Sequence, residues 1–144
     1  MEQNEVQEIE RKKKFLKRYR KNLNCIRRLE NKLILLDDRL KTAKAPSLSG
    51  MPRGGQPVSI ADLIADKEDL ENRIGRLKEK GKRFKRETLD EIDTLDDIRY
   101  VAVLEGFFID CLSMEDIADN EGYTVRHVYS IYHDAIVALT VKQQ

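Results

Sequence analysis

The chain has no tryptophan, and its other aromatics make up only 6% of 144 residues. Large aromatic side chains dominate the filling of wide cores. Their scarcity argues against a broad globular interior and favours elements that bury narrow stripes. Proline and glycine are scarce as well. All three prolines, and three of the seven glycines, fall within residues 45–59. Outside that segment nothing removes a backbone donor, so long uninterrupted helices are permitted. No apolar run approaches the ~20 residues of a membrane span. The opening "MEQNEVQEIERKKK" contains no apolar stretch of the secretory type. A cytoplasmic protein that does not enter the membrane is expected.

The residues of chemistry are equally thin. Cys25 and Cys111 lie far apart, each within a helical apolar pattern, and read as reduced thiols rather than a disulfide framework. The only histidines, His127 and His133, are six residues apart. On one helix that places them about 120° out of phase, a spacing that builds no metal site. The carboxylates fall on solvated helical faces, and no acid–base pair or nucleophile set stands out. No enzymatic activity, metal or cofactor is expected.

What the chain does have is charge, 37% of its residues, in a composition rich in Glu, Lys, Arg, Leu and Ile that points to long helices. The net charge of +1 hides a gradient. Residues 1–45 hold 14 Lys and Arg against 7 Asp and Glu, residues 46–95 hold 10 of each, and residues 96–144 hold 3 against 9. Two ends of opposite sign have different partners or attract each other. The most basic run, "RKKKFLKRYRK" at 11–21, carries eight Lys and Arg. It reads as a solvated helix face, as a nucleic-acid contact, or as a helix folded back on the acidic end.

Two helical stripes precede the acidic end. Ile9, Leu16, Tyr19, Leu23, Ile26, Leu29, Leu33, Leu36 and Leu40 recur mostly at steps of three, four or seven, which predicts one helix from about residue 3 to about 44. Residues 45–59 read as a long turn. Ser59 is a candidate cap, with Asp62 as partner. A second stripe follows at Ile60, Leu63, Leu70, Ile74, Leu77, Phe84, Ile92 and Leu95, where Lys67, Gly81 and Thr88 occupy positions that would otherwise be apolar. Gly81 is its expected weak point, at ~1 kcal/mol relative to Ala. The fold class expected is all-α. A long antiparallel, coiled-coil-like helical hairpin over residues 1–95 would precede a helix-turn-helix unit over 96–144. A two-helix hairpin has a thin core, so a homodimer is expected.

From Asp96 the pattern changes. Residues 97–111 read as a short helix with Ile98, Val101, Leu104 and Phe108 inward, widened by Val103, Phe107 and Cys111. Ser113 then stands at an N-cap position, with Met114, Ile117 and Ala118 inward. Gly122 suits a left-handed cap, Tyr123 fills the corner and Thr124 caps the last helix. There Val128, Ile131, Ala135, Ile136 and Leu139 form the buried stripe, and Val125, Arg126, His127, Tyr129, Ser130 and His133 point outward. Helix, glycine-containing turn and helix at this spacing match a helix-turn-helix. Arg126 is the outward group able to fork onto guanine.

The segment resembles region 4 of sigma-70-type factors in its "LSMEDIA" helix, its "GYT" turn and the Val128, Ile131, Ala135 spacing of its last helix. The whole chain resembles a family of small proteins from phages, prophages and mobile islands of Gram-positive bacteria. Its hallmark "SGMPRGG" stands here at residues 49–55. That resemblance implies a regulator of phage or island transcription, with double-stranded promoter DNA as partner. Thr124, Arg126, His127, Tyr129, Ser130 and His133 would make the contacts. In sigma factors the same unit docks on RNA polymerase, which gives a second reading as a protein-interaction module. "SGMPRGG" is not a phosphate loop, since no Gly-Lys-Ser/Thr follows and no strand precedes it.

Overall fold

The computed structural model describes residues 2–44 and 59–141, and it is all-helical. The described elements are α1 (Glu2–Leu16), α2 (Arg18–Lys44), α3 (Ile60–Ile92), α4 (Ile98–Phe108), α5 (Met114–Glu121) and α6 (Val125–Ala138). The turn expected at 45–59, with its SGMPRGG stretch, lies outside the described residues apart from Ser59. None of these helices is long and apolar enough to cross a membrane.

The first predicted helix is interrupted once, at Lys17. The Arg18 Nε donates to the Phe15 carbonyl at 3.0 Å, and a side chain that competes for a helix carbonyl is a recognised cause of such breaks. The start of α3 is as expected: the Asp62 N–H donates to Ser59 Oγ at 3.4 Å, and the Leu63 N–H to the Ser59 carbonyl at 3.1 Å.

Two compact units emerge. One is residues 24–79; the other joins residues 1–23 to residues 80–144. Within the first, Ile26, Leu29 and Ile74 are buried, with Leu33, Leu70 and Leu77 packed against them. Lys67 pairs with Asp37 at 2.9 Å and Lys78 with Glu30 at 3.9 Å. Residue numbers thus fall along α3 as they rise along α2. The hydrogen bond from Lys67 to Asp37 holds the lysine above its ordinary range. This polar residue on the apolar stripe is therefore tied to the facing helix.

The second unit gathers residues from both ends of the sequence. Leu16 of α1 and Ile92 of α3 share a core with Leu104 and Phe108 of α4, with Ala135 and Ile136 of α6, and with Leu139 and Val141 beyond it. A second cluster holds Val103, Met114, Ile117, Ala118, Val128 and Ile131. On sequence, residues 1–23 and 80–95 are grouped with the hairpin; here they pack with the segment that follows Asp96. Arg18 Nη2 lies 2.9 Å from Glu87 Oε2, and its guanidinium stacks on Phe15 and Phe84.

Two details of α4 differ from expectation. Ile98 is 81% exposed rather than inward. It is the first residue after the Asp97 N-cap, and full burial on this helix starts only at Val103. The helix also stops at Phe108, short of Cys111, whose φ of 58° is left-handed. The Asp97 carboxyl accepts from the Arg99 N–H at 2.9 Å and pairs with its guanidinium, which holds it below the usual carboxylate range. Both cysteines are free; Cys25 is exposed and Cys111 half-buried.

Gly81 has a positive role. It is buried, and a Cβ there would stand 2.6 Å from Asn22 Oδ1. Asn22 is itself buried at 6% exposure, so the amide has little room to retreat. Gly75 on the same helix has nothing within 4 Å of an added Cβ. Gly75→Ala should therefore raise stability by about 1 kcal/mol through helix propensity. Gly81→Ala should lower it by about 1–3 kcal/mol through overpacking. Urea unfolding of the two variants checks this contrast of sign.

Candidate nucleic-acid interface

The α5–α6 segment is built by its caps. Ser113 Oγ accepts from the Asp116 N–H at 3.1 Å, and Thr124 Oγ1 from the His127 N–H at 3.1 Å. Each satisfies one of the open donors at a helix start. Between them Gly122 closes α5 at φ 72°, its N–H donating to the Ala118 carbonyl. Tyr123 is half-buried in the corner, its ring edge-on to His127 at 4.9 Å. Met114, Ile117 and Ala118 of α5 meet Val128 and Ile131 of α6.

This burial turns one face of α6 outward. Arg126, Tyr129, Ser130 and His133 are exposed, and so are His127 and the capping Thr124. Their three- and four-residue spacing puts Arg126, Tyr129, Ser130 and His133 on one stripe. Val125, expected outward, is half-buried against the second cluster. Tyr132 lies on the inner side, stacked on Phe108 at 5.8 Å and edge-on to Phe107 at 5.5 Å. Burial pushes its phenol above the ordinary tyrosine range, and the charge of Glu10 adds to this. The acids Glu115, Asp116, Asp119 and Glu121 belong to α5 and are exposed there; none lies on the stripe.

The basic run follows the third of its readings, folded back on the C-terminal segment, but its cations meet carbonyls and rings there rather than that segment's acids. Lys12 is buried, and its Nζ donates to the Val137 carbonyl at 3.0 Å. Arg11 Nη2 donates to the Val141 carbonyl at 2.9 Å and also pairs with Glu8. That bond holds the Glu8 carboxyl below its ordinary range. Lys13 Nζ lies 6.0 Å over the Tyr132 ring. Arg20 covers the Phe107 ring at 4.3 Å and donates to the Phe107 carbonyl at 3.2 Å. With Arg18 on Glu87, five of the run's eight cations are engaged inside the unit.

The cause is the C-terminus of α6. A helix end leaves carbonyls open and carries partial negative charge, and the last turn of α6 has no basic residue of its own. The Leu139 N–H answers the Ala135 and Ile136 carbonyls; Lys12 answers Val137. Where α1 runs beside α6, Glu5 and Glu8 line a groove with His133 and Val137. Of the residues expected to touch a ligand, His133 is thus the one flanked by acid, while Arg126, Tyr129 and Ser130 stand clear of that groove. No local sequence signal marks Lys12, since it looks like any other member of a charged run.

No protein-family model, curated protein or solved structure matches the chain.

Replacing Lys12 by Met keeps the aliphatic stem and removes the donor, which takes the partner from the part-buried Val137 carbonyl at the end of α6. The expected loss is about 1–3 kcal/mol of stability, read by urea unfolding. Lys14→Met, at an exposed position of the same run, should change stability by no more than about 0.5 kcal/mol.

Proposed function

We propose that the chain is a DNA-binding regulator whose α5–α6 segment acts as a sigma-region-4-like helix-turn-helix. In this reading α6 lies in the major groove of promoter DNA belonging to a phage or mobile element. The observation that carries the reading is the outward stripe of Arg126, Tyr129 and Ser130 at the start of a helix capped by Thr124. Recognition helices read base edges through their N-terminal residues. Arg126 supplies the fork for guanine, Tyr129 and Ser130 supply polar contacts, and His127 and His133 flank them. Thr124 presents the helix start to a phosphate. The resemblance of "LSMEDIA" and "GYT" to the sigma-factor unit, and of "SGMPRGG" to the mobile-element family, supports the same reading. Residues 24–44 and 60–79 would form an antiparallel hairpin arm.

A second reading has its own observation. Tyr129 and Val137 are 53% and 52% exposed on α6, and residues 96–144 hold nine acids against three bases. Such a surface suits a protein partner, with RNA polymerase the one implied by the sigma-factor resemblance.

Selection from a random DNA pool at near-physiological salt separates the two. The DNA reading expects an enriched motif, weakened binding as salt rises, and a loss of roughly 10- to 100-fold for Arg126→Ala. Folded protein that enriches no sequence, or an Arg126→Ala variant that selects the same motif with equal affinity, overturns it in favour of protein docking.

A further inference from the structure

The unit of residues 24–79 has two flanks that treat charge differently. On one, Lys67–Asp37 and Lys78–Glu30 pair within the chain. On the other, Lys32, Leu35 and Arg39 of α2 line a groove with Asp66, Asp69 and Leu70 of α3. Lys32, Arg39, Asp66 and Asp69 make no ion pair among the described residues, although Lys32 and Arg39 edge one side of the groove and Asp66 and Asp69, followed by Arg73, the other. Leu35, at its centre, is 61% exposed. The unit's own core among the described residues is narrow, centred on Ile26, Leu29 and Ile74.

We propose that this groove is the contact face for a second copy of the chain, which closes two helix pairs into a four-helix arrangement. A groove with one basic and one acidic edge is self-complementary under a two-fold axis parallel to the helices, because the axis lays α2 of each copy over α3 of the other. The register set by the Asp37–Lys67 and Glu30–Lys78 pairs brings Leu35 to the level of Leu70, and Arg39 to the level of Asp66. The two-fold therefore sets Leu35 on the partner's Leu70 and Arg39 on the partner's Asp66, each contact made twice. The alternative two-fold, with the axis across the helices, stacks basic edge on basic edge and is disfavoured by repulsion. Arg73 sits at the end of the groove near Lys32, so the pairing rests on Arg39, Asp66 and Asp69. A second copy covers the apolar centre and pairs Arg39 with Asp66 on both edges at once. This assembly is independent of whether α6 reads DNA.

Light scattering of the full chain without DNA tests it. The expected mass is twice 16.8 kDa. Leu35→Glu should halve that mass while circular dichroism keeps its helical signal. Ile34→Glu, at a position also exposed but about 100° round the helix, should leave the dimer intact. Arg39→Glu alone and Asp66→Arg alone should each be monomeric, and the two mixed should pair with each other. That result requires residues 39 and 66 to meet between copies rather than within one. A monomeric unsubstituted chain, a dimer that survives Leu35→Glu, equal dissociation by Ile34→Glu, or mixed charge variants that stay apart would each overturn the proposal.

Discussion

The arrangement of this protein turns on one buried ammonium at the end of a helix. The final helix stops with carbonyls open and no cation of its own in its last turn, and Lys12 donates to Val137 from a helix more than a hundred residues earlier. Arg11 does the same for the Val141 carbonyl. The chain beyond α6 can then turn inward and bury Leu139 and Val141. With α1 fixed there, Leu16 enters the core beside Phe108 and Ile136. A long-range polar contact thus ties α1 to the end of α6, because a buried ammonium needs an acceptor and a helix C-terminus favours positive charge.

The same contact accounts for the charge gradient. A basic beginning and an acidic end suggest either two external partners or two ends that attract each other, and much of the basic run is spent internally, on helix carbonyls, aromatic faces and Glu87. What remains outward on α6 is a single arginine among polar and aromatic side chains, with one acid, Asp134, and Val137 further along the helix. The proposed DNA contact therefore depends more on that fork, and on the open start of the helix, than on a field of positive charge. The acids of α5 stand off the stripe, so they lower the general attraction to phosphate without occupying the reading surface.

The C-terminal elements were the most legible part of the sequence. Ser113, Gly122 and Thr124 each act within four residues of themselves, as cap or left-handed turn, and such signals need no knowledge of distant neighbours. The buried positions of α5 and α6 follow helical period for the same reason. Ile98 departs from expectation because period gives direction, not coverage: at a helix end the neighbouring element does not extend over every inward position, whereas Val125, expected outward, packs against the second cluster. Gly81 looked like a defect for a related reason. Its justification is the Asn22 amide on another helix, which no local pattern contains. Lys12 was illegible altogether, since burial of one lysine among eight cations depends on where a remote helix ends.

Composition and spacing alone determined an all-helical chain, the start of α3 at Ser59, and the caps and outward stripe of α6. These are consequences of backbone hydrogen bonding and of a period that repeats every few residues. Only the tertiary structure decided that α1 belongs with the last helix, which five cations of residues 11–20 are engaged inside their unit, and that the charges of residues 67 and 78 pair on one flank while those of 32, 39, 66 and 69 do not. The physical reason is range. Caps and turns are set by neighbours along the chain, whereas the partner of a buried charge is chosen by whichever open carbonyl or carboxylate the packing brings within about 3 Å.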